Sequence, residues 1–471
     1  MSRAEHVHLS GIGGIAMASL AGMLAAQGCQ VTGSDTDVYP PASDLLRAAK
    51  IEWKKGFREE NFDPRPDWVV IGNALSRGNP EVECILDRKI PYRSLPQVIE
   101  DRFLPDRHVI VVSGTHGKTT TTSLVAWILH SAGRRPDFLV GGLVEDFGSS
   151  YGLGGGEEFV IEGDEYDSAF FDKAPKFLHY HPDDLVITSL EFDHADIYPD
   201  LAAIELQFER LVDLMPRRGR IVIWGESDAV REAAAGACCP VESYGLGAGC
   251  DWKATDLEFG ERQTRFRASY RGKEVGSFEM RLAGRHNVSN ALAAIAIATG
   301  RGVSPAEIRE ALGEFRGVRR RLESRGEPRG VLVVDDFAHH PTAIRETIAA
   351  ARSRWPGRRI WAAFEPRSNT MRRNLLENEL ADALATADAA IIGPVNRPHL
   401  LGAEERLNPA RVAARIEHAG RQAWAFDSAA RIAEFIGAEA RSGDLVLVLS
   451  NGSFDGLCEK LLDSLGEHAS R

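Results

Sequence analysis

VIVVSGTHGKTT, residues 109–120, is the stretch of sequence that decides the fold. Its opening apolar run indicates a buried strand, and the glycines that follow let the backbone wrap closely around phosphate oxygens. Lys118 is placed to reach the β- and γ-phosphates of a nucleotide, and Thr119 to hold Mg²⁺. The general pattern has glycine where this chain has Val112, so the loop is the shorter GTHGKT form. An ordinary glycine-rich turn is the alternative, but the order of glycine, lysine and threonine after a strand favours a phosphate-binding loop.

Short apolar runs alternate with amphipathic stretches on both sides of this loop, which predicts α/β domains with parallel, doubly wound sheets. We predict buried strands at Val7–Leu9, Val31–Gly33, Trp68–Ile71, Val109–Val112, Val160–Glu162, Leu185–Ser189, Arg220–Trp224, Val331–Val334, Arg359–Ala363, Ala389–Gly393 and Leu445–Leu449. We predict helices at Ile15–Gln27, Thr120–Ala132, Asn287–Thr299, Thr342–Arg354 and Asn374–Ala385. Short alternating runs in Asp251–Glu279 predict an antiparallel addition within the middle of the chain.

Two breaks divide the chain into three segments. A single hydrophobic core rarely exceeds about 250–300 residues. The 471 residues of this chain therefore predict two or three domains. A loop-like stretch, residues 103–107, and a basic stretch, residues 316–321, each precede a strong predicted strand. We expect domains at 1–104, 105–322 and 323–471.

The composition is that of a soluble globular protein, with 44% hydrophobic and 26% charged residues. A net charge of -12 argues against nucleic-acid binding, which needs a basic face, but is compatible with a local phosphate site. No signal peptide or long apolar run is visible, so we expect no membrane span. The 6 cysteines form no CxxC pair, which favours reduced thiols in a cytoplasmic protein. No sequence feature indicates an obligate protein partner.

A second glycine motif follows the first predicted strand. Gly11, Gly13 and Ala16 fit the pattern G-x-G-x-x-A, which places a pyrophosphate at a helix N-terminus. Asp35, at the end of the next predicted strand, is placed to bind a ribose hydroxyl. The motif alone also fits a nicotinamide dehydrogenase, or merely close helix–strand packing. Because a second phosphate loop is not expected of a simple dehydrogenase, we interpret the motif as the site of a second nucleotide-bearing ligand.

Carboxylates and a histidine follow two strands that should flank the phosphate loop. EGDEYD begins at Glu162, and EFDHADIY contains His194. Because the carboxyl ends of parallel strands meet at one edge of a sheet, these side chains are placed to handle metal-bound phosphates. Each carboxylate taken singly is also compatible with a solvated loop charge. Glu162 and His194 are the stronger candidates because each follows an apolar strand.

Three further clusters are candidates for binding a phosphate, a nucleotide or a metal ion. Asn287 and Asn290 lie one turn apart at the start of a predicted helix, where asparagine is often only a cap. The arginines in residues 316–321 suit a clamp on phosphates, although such a run is usually a solvated face. Residues 335–342, DDFAHHPT, bring two aspartates and two histidines together, but adjacent histidines are poorly spaced to share a metal ion.

Taken in order, the motifs resemble those of the muramyl ligase family, whose members build or salvage the peptide of the bacterial cell wall. The motifs are GIGGIAM, SGTHGKTTT, EGDEYD, EFDHADIY, GRHNVSNA, GVRRRLE and DDFAHHPT. The resemblance covers essentially the whole chain. It implies a Rossmann-like N-terminal domain for a UDP substrate, a central P-loop ATPase domain and a Rossmann-like C-terminal domain for the amine substrate.

The resemblance also implies roles for single residues. It implies that ATP is bound by Gly114, Thr115, His116, Gly117, Lys118, Thr119, Thr120, Asn287, Asn290, Arg321 and Asp336. It implies a UDP-substrate site at Gly11, Gly13, Gly14, Asp35 and Ser76. The implied catalytic residues are Lys118, Glu162 and His194, and the implied Mg²⁺ ligands are Thr119, Glu162 and His194. Several relatives use a carbamylated lysine after the His194 motif, but residues 197–210 contain no lysine, so that device is not expected here.

The resemblance implies UDP-N-acetylmuramate as one substrate, because His340 falls in the signature of members that accept it directly. Residues 162–182, 364–371 and 450–456 favour members that attach the murein tripeptide L-Ala-γ-D-Glu-meso-diaminopimelate. Members that add L-alanine are the alternative. The candidates for binding the peptide are Arg367, Ser368 and Asn369, since arginine pairs bidentately with carboxylates. A non-catalytic, nucleotide-regulated binding protein is an alternative of another class.

The chemistry that the resemblance implies is amide formation through an acyl phosphate. Because hydroxide is a poor leaving group, ATP must phosphorylate a carboxylate before an amine can displace it. Lys118 and Mg²⁺ would neutralise the charge of the transferred phosphoryl group. The sequence does not identify the base that takes the proton of the amine.

Overall fold

The computed structural model describes residues 3–467. Its first α/β unit consists of β1 (His6–Ser10), α1 (Ile15–Ala26), β2 (Gln30–Asp35), α2 (Ala42–Ala48), β3 (Trp53–Lys55), β4 (Trp68–Ile71), α3 (Pro80–Asp87), β5 (Tyr92–Ser94) and α4 (Leu95–Arg102). All neighbouring strands are parallel, in the order β3-β2-β1-β4-β5. This is the order of dinucleotide-binding folds, whose ligands bind where the order reverses. Here that point lies between the carboxyl ends of β1 and β4.

The second unit contains a mixed sheet and a separate two-stranded ribbon. Its strands are β6 (His108–Ser113), β7 (Asp137–Val144), β8 (Ser149–Leu153), β9 (Glu158–Gly163), β10 (Asp167–Ala169), β11 (Asp172–Pro175), β12 (Asp184–Ile187), β13 (Arg220–Trp224), β14 (Val241–Gly245), β15 (Trp252–Phe259), β16 (Thr264–Tyr270) and β17 (Lys273–Met280). Its helices are α5 (Lys118–Ser131), α6 (Leu201–Asp213), α7 (Asp228–Ala233), α8 (Arg285–Gly300) and α9 (Pro305–Glu314).

The large sheet of this unit has the order β17-β16-β15-β14-β13-β12-β6-β9-β7-β8. The strands from β15 to β7 in this order run parallel, and they place the carboxyl ends of β6, β9 and β12 side by side. Antiparallel pairs close both edges, with β8 at one end and β16 and β17 at the other. The phosphate loop therefore opens between two strands, β9 and β12, whose following segments carry acidic residues.

The third unit has a six-stranded sheet of order β18-β19-β23-β20-β21-β22. Its elements are β18 (Glu323–Gly326), β19 (Leu332–Asp336), α10 (Pro341–Arg354), β20 (Ile360–Phe364), α11 (Glu377–Leu384), β21 (Ala389–Ile392), α12 (Pro409–His418), β22 (Gln422–Ala425), α13 (Ala429–Glu439), β23 (Leu445–Leu449) and α14 (Leu457–Glu467). Only β18 is antiparallel to its neighbour. The buried positions of β19, β20 and β23 are almost entirely apolar, as expected of central strands covered on both faces.

The α/β fold class and the antiparallel addition predicted from the sequence are confirmed, but several predicted bounds are wrong. The predicted strand Leu185–Ser189 ends at Ile187, because Thr188 and Ser189 turn onto the phosphate loop. The predicted helix Asn374–Ala385 is a 3-10 turn followed by α11. Among residues 3–467, no helix combines the length and the apolar character needed to cross a bilayer.

Sequence reasoning missed several strands, most of them short or at a sheet edge: β3, β5, β7, β8, β10, β11, β14, β18 and β22. The hairpin of β7 and β8 contains paired glycines at residues 141–142 and a further glycine at 152, which weaken the strand signal. In the structure these glycines admit close neighbours. A Cβ at Gly141 would lie 2.9 Å from both carboxylate oxygens of Glu162. The missed strand β7 therefore forms one wall of the phosphate site.

The second unit contacts the third through the loop that follows β12. Thr370 Oγ1 of the third unit donates a hydrogen bond to Asp193 Oδ1 at 2.6 Å. On the other side, His179 and His181 of the second unit lie 3.1 and 2.8 Å from the Glu100 carboxylate of the first. The second unit therefore contacts both the first and the third units.

Candidate active site

The phosphate loop connects β6 to α5, as the sequence predicted. Gly114 and Gly117 have φ angles of +129° and +83°, a region that other residues rarely adopt. A Cβ at Gly114 would lie 2.7 Å from the Ser189 carbonyl, and a Cβ at Gly117 would lie 2.5 Å from the Asn290 amide oxygen. Both glycines are therefore needed for the loop to fold closely against the end of β12 and the start of α8.

Lys118, the first residue of α5, forms a buried ion pair at this loop. Its Nζ lies 2.8 and 3.1 Å from the two carboxylate oxygens of Glu165. Burial lowers the pKa of Lys118, but the carboxylates of Glu165 and Asp164 outweigh that effect and raise the pKa above its usual value. Lys118 therefore stays positively charged and fixed in position. Stabilising the phosphoryl group in the transition state of its transfer requires such a cation.

Two of the predicted magnesium ligands lie together. Thr119 Oγ1 donates a hydrogen bond to Glu162 Oε1 at 3.0 Å, and the other carboxylate oxygen accepts one from Gly141 N at 2.7 Å. Burial raises the pKa of Glu162, and the charge of Lys118 offsets only part of that increase. A hydroxyl and a carboxylate are donors that Mg²⁺ prefers, so this pair fits the ion. Arg321 reaches the same place, with Nη2 3.5 Å from Thr119 Oγ1.

His194, the third predicted ligand, contacts a different carboxylate. Its Nε2 lies 3.0 Å from Glu165 Oε1, and its ring lies 4.0 Å from that of Tyr166. Burial lowers the pKa of His194, but the hydrogen bond and charge of Glu165 and the charge of Asp193 outweigh it and raise the pKa. A metal ion at His194 Nε2 would have to replace Glu165 there.

Glu165 is a candidate functional residue that sequence reasoning missed. It is 2% exposed and holds both Lys118 and His194. The run EGDEYD offers several carboxylates, and the sequence does not rank those that follow Glu162. In the structure, Tyr198 donates a hydrogen bond to the Glu165 backbone oxygen at 2.7 Å and fixes the turn. One sequence signal could have indicated Glu165: a buried lysine in a phosphate loop needs a carboxylate nearby to balance its charge.

Asn287 and Asn290 lie on the buried face at the start of α8. Asn287 Nδ2 donates to the Ala283 carbonyl at 2.7 Å, and Asn290 Nδ2 donates to Asn287 Oδ1 at 3.1 Å. Asn287 therefore bonds back to a residue before the helix and does not cap it, since the N-cap residue is Gly284, which has no side chain to accept a capping bond. Asn290 instead turns its amide oxygen toward Gly117 and supports the loop.

Asp336 is a buried carboxylate bonded to the backbone. Its Oδ2 accepts a hydrogen bond from Leu322 N at 2.7 Å, and its Oδ1 accepts one from Ala338 N at 2.8 Å. These bonds anchor the segment that carries Arg321, whose guanidinium lies over the Phe337 ring at 5.2 Å. The geometry favours a positioning role for Asp336 over direct contact with a nucleotide.

The predicted UDP-substrate residues lie at the carboxyl ends of β1, β2 and β4. Gly11 turns the chain with a φ of +85°, and Gly13 N donates to Asp35 Oδ2 at 2.8 Å. Asp35 therefore closes the glycine turn by its own side chain. Gly14 is exposed at the start of α1, and Ser76 is exposed in the loop after β4. These five residues surround the point where the strand order reverses.

The stretches 364–371 and 450–456 meet at the carboxyl ends of β20 and β23. Ser450 Oγ donates to Glu365 Oε2, and Arg367 Nη1 lies 3.3 Å from Glu365 Oε1. The Arg367 guanidinium lies so close to Gly452 that a side chain at that position would overlap it. Arg367 is thus held between two loops that the sequence placed 85 residues apart.

The other two predicted peptide residues have partners within the protein. Ser368 Oγ accepts a hydrogen bond from Met371 N at 3.1 Å, and Asn369 Nδ2 donates to Asp196 Oδ2 at 2.6 Å. Beside them Arg372 is buried, and within the described residues its Nε has no hydrogen-bond partner. Burial and neighbouring guanidinium groups lower the pKa of Arg372. An anionic ligand would relieve both conditions.

His116 lies beside a carboxylate and a second histidine. Glu191 Oε2 is 3.5 Å from His116 Nε2 and 3.4 Å from His340 Nδ1. Because His339 and His340 are adjacent, we expected them to be poorly spaced to bind one metal ion together. In the structure His340 instead contacts Glu191 and His116 of the second unit. Burial and His116 lower the pKa of His340 to about 4. Burial raises the pKa of Glu191, but the two imidazoles and Thr342 outweigh it and lower the pKa to about 2.

Family models match three successive parts of the chain. The Mur ligase family catalytic domain matches residues 6–103, the Mur ligase middle domain residues 112–298, and the Mur ligase glutamate ligase domain residues 320–452. UDP-N-acetylmuramate–L-alanyl-γ-D-glutamyl-meso-2,6-diaminoheptandioate ligase of Escherichia coli (strain K12) is 45% identical over 468 residues, 98% of this chain and 99% of that enzyme. The chain belongs to the Mur ligase family.

Two further comparisons place it among Mur ligases. UDP-N-acetylmuramate–L-alanine ligase of Desulfitobacterium hafniense is 34% identical over 448 residues, 95% of this chain and 97% of that enzyme. The crystal structure of a murein peptide ligase from Psychrobacter arcticus matches 98% of this chain and 99% of its own, with a TM-score of 0.74 and 36% identity. The chain therefore has the three-domain α/β architecture of Mur ligases and is an ATP-dependent ligase.

Proposed function

We propose that this Mur ligase joins the tripeptide L-Ala-γ-D-Glu-meso-diaminopimelate to UDP-N-acetylmuramate and so returns recovered peptide to cell-wall synthesis. The observation that carries the proposal is the 45% identity, over almost the whole chain, to an enzyme named for that substrate pair. The identity to an L-alanine-adding relative is 34%. Addition of L-alanine is the second candidate, favoured only by the chemistry that the two reactions share.

In the proposed reaction an oxygen of the lactyl carboxylate attacks the γ-phosphorus of ATP, and the bond to the β-phosphate oxygen breaks to release ADP. The amine of the tripeptide then attacks the acyl carbon. Phosphate leaves with the former carboxylate oxygen, and the amine loses a proton. The Lys118 ammonium would stabilise charge on the transferred group, with Arg321 as a second cation beside Thr119.

We propose that Thr119 and Glu162 hold Mg²⁺ and that His194 is a further candidate ligand. When bound, the ion supplies positive charge to the phosphate oxygens. Glu165 would position both Lys118 and His194, since it is bonded to each. Asn290 would shape the loop through Gly117, and Asp336 would position Arg321. The remaining nucleotide contacts expected from the motifs, Thr115, Thr120 and Asn287, keep the roles predicted above.

The arginines of the third unit are the proposed binding site for the peptide. The tripeptide carries several carboxylates, whereas L-alanine carries one. Arg367 lies at the end of β20 with 34% of its side chain exposed, and Glu365 is its ion-pair partner. Among residues 3–467, the Nε of nearby Arg372 has no hydrogen-bond partner. A groove with several guanidinium groups suits the longer, more anionic substrate.

Domain limits and location complete the proposal. We propose a UDP-substrate domain at 1–104, an ATP-binding domain at 105–322 and a peptide-substrate domain at 323–471, limits supported by the extents of the family models. We also propose a cytoplasmic enzyme, because both ATP and the UDP-sugar are soluble nucleotides. The structure describes this chain up to residue 467.

Product formation tests the proposed function. Purified protein is incubated with MgATP, UDP-N-acetylmuramate and the tripeptide. The released phosphate is measured, and the mass of the UDP-linked product is determined by mass spectrometry. We expect phosphate release that requires all three substrates, and a product with the mass of the tripeptide conjugate. Phosphate release without that product would contradict the proposal.

A further inference from the structure

A group of metal-binding side chains lies where the phosphate loop meets the third unit. His116 comes from the loop, Glu191 from the segment after β12, and His340 from the residue that caps α10. The ligand atoms of these three residues all lie within 4.8 Å of one another. Among residues 3–467 this is the one such group of three. It joins two units through side chains that are far apart in sequence.

The donor set is typical of Zn²⁺. Two imidazoles and one carboxylate form a common zinc site, whereas Mg²⁺ prefers oxygen donors alone. In a tetrahedral site with bonds of about 2.0–2.1 Å, neighbouring ligand atoms lie about 3.4 Å apart. The observed separations from Glu191 Oε2 are 3.4 Å to His340 Nδ1 and 3.5 Å to His116 Nε2. The Thr119–Glu162 pair, with oxygen donors, selects a different ion.

The surroundings orient two of the three ligands. His340 Nε2 lies 3.3 Å from the Phe192 carbonyl, so donation there leaves Nδ1 unprotonated and available to a metal. Thr342 Oγ1 donates to Glu191 Oε2 at 2.7 Å. Such outer hydrogen bonds are what fixes ligand orientation in metal sites. The Thr342 amide also lies 3.4 Å from His340 Nδ1, a long contact that a metal ion can replace.

His116 completes the group with a nitrogen whose neighbour is the Glu191 carboxylate, 3.5 Å away. Its Nε2 is buried, and in the part of the chain that the structure describes it has no hydrogen-bond partner. Buried polar atoms are nearly always satisfied, so such an atom calls for an explanation. The nitrogen lies on the side of Glu191 and His340, with the two imidazole rings 4.8 Å apart. A cation bound among the three would satisfy it.

We propose that His116, Glu191 and His340 form a Zn²⁺ site that links the phosphate loop to the third unit. Lids and domains that close over substrates must reopen before the product leaves. Zn²⁺ at this place would hold the two units together, so its occupancy slows turnover. The site does not depend on which peptide the enzyme accepts.

Zn²⁺ binding tests the site directly. The titration uses the full chain without ATP, because ATP itself binds Zn²⁺. A Cys238→Ser/Cys239→Ser background removes the adjacent thiols, one of them exposed, that would otherwise bind the ion. By isothermal titration calorimetry we expect one Zn²⁺ per chain in this background. His340→Ala and Glu191→Gln should each weaken binding at least about tenfold.

A matched control and two further measurements separate the site from adventitious binding. His286→Ala removes another histidine near a carboxylate, 3.7 Å from Glu346, and should leave Zn²⁺ affinity unchanged. Co²⁺ should give the strong visible absorption of a tetrahedral site in the background protein but not in Glu191→Gln. Zn²⁺ buffered far below the MgATP concentration should inhibit phosphate release, and Glu191→Gln should relieve that inhibition.

Two results would overturn the proposed Zn²⁺ site or its effect on turnover. Circular dichroism first establishes that each variant is folded. Equal Zn²⁺ affinity in the background protein and in both ligand variants overturns the site. Inhibition by Zn²⁺ that persists unchanged in Glu191→Gln overturns its effect on turnover.

Discussion

Lys118 is held as a cation by Glu165, so its charge is in place before phosphoryl transfer begins. Lys118→Ala should lower turnover by about a hundredfold to a thousandfold, because the transition-state charge loses a preorganised partner. The variant should stay folded, since Glu165 keeps His194 as a partner. Phosphate release measures the effect. Lys173→Ala, which removes an exposed lysine paired with Asp167, is the control and should behave as wild type.

Near-normal turnover of a folded Lys118→Ala protein would contradict the proposed role of Lys118 in phosphoryl transfer.

Glu162 carries the second prediction at this scale. Its carboxylate accepts hydrogen bonds from Thr119 and Gly141, and we place Mg²⁺ at the Thr119–Glu162 pair. Glu162→Ala should raise the Mg²⁺ concentration needed for half-maximal activity by about tenfold or more. Glu157→Ala, just before the same strand and 65% exposed, is the control. A magnesium titration of Glu162→Ala that overlays the wild-type curve would count against the assignment.

Single residues also show what the sequence can and cannot predict. The strand and loop pattern was sufficient to bring Lys118, Thr119 and Glu162 to one edge of a sheet, because strand ends and helix starts fix their positions. The role of Glu165 was not predictable, since it depends on the turn of the chain after β9. Asp35 and Asp336 lie at the ends of their strands as expected, but each accepts a hydrogen bond from a backbone amide of another segment, Gly13 and Leu322 respectively.

At the scale of structural elements, a buried carboxylate, that of Glu81, connects β1 and β2 through hydrogen bonds. Glu81 of α3 is fully buried and accepts hydrogen bonds from Ser10, Ser34 and Asn61. Burial raises the pKa of Glu81, but these bonds and His8 outweigh it, so the pKa lies below its usual value. Ser10 and Ser34 directly precede the glycine turn and Asp35. Glu81 therefore supports the proposed UDP-substrate site from beneath.

Glu81→Gln should lower the free energy of unfolding by roughly 2 kcal/mol, because a buried network loses a charged acceptor. The folded-state pKa is depressed, so this stability is present above the unfolded value of 4.5 and is lost as pH falls below it. Thermal unfolding at about pH 7 and about pH 3.5 should therefore show a gap between variant and wild type that narrows in acid. Exposed Glu52→Gln is the control. A gap that stays constant with pH would contradict the assignment.

The loops after β20 and β23 carry the next prediction. Arg367→Ala should raise the KM for the tripeptide about tenfold to a hundredfold, through loss of a charge-assisted bond, with little change for ATP. Gly452→Ala should have a similar effect, because its Cβ would displace the Arg367 guanidinium. The double variant should be no worse than either single one, since both act through the same side chain.

Gly313→Ala is the control for this pair, because a Cβ at Gly313 meets no neighbour within 4 Å. Additive effects of Arg367→Ala and Gly452→Ala would show that the two residues act separately.

Elements differed in how well the sequence predicted them. Central strands such as β6, β20 and β23 are apolar runs of β-branched and aliphatic residues, and all three were found within a residue. Edge strands such as β8 and β10 were missed, because one-sided burial and glycine leave no continuous apolar run. The ribbon of β10 and β11 nonetheless reaches the first unit, where Phe171 packs 4.8 Å from Tyr92.

At the scale of the whole molecule, the sheets of the second and third units present their carboxyl ends to a common region. The phosphate loop lies in the second unit, Arg321 reaches it from the segment before β18, and Thr370 of the third unit bonds to Asp193 beside it. The sequence motifs predict a ligand for each unit. They do not predict which side chains contact one another across the boundaries between units. Contacts such as Glu191–His340 and Asn369–Asp196 join residues about 150 and 173 positions apart and depend on how the units dock.

The choice between tripeptide and L-alanine is the central claim, and one measurement tests it most directly. The kcat/KM for phosphate release is determined with the tripeptide and with L-alanine at saturating MgATP and UDP-N-acetylmuramate. We predict a preference for the tripeptide of at least about a hundredfold, because the arginines in the loop after β20 find carboxylates that L-alanine lacks. A kcat/KM for L-alanine equal to or above that for the tripeptide would contradict the account.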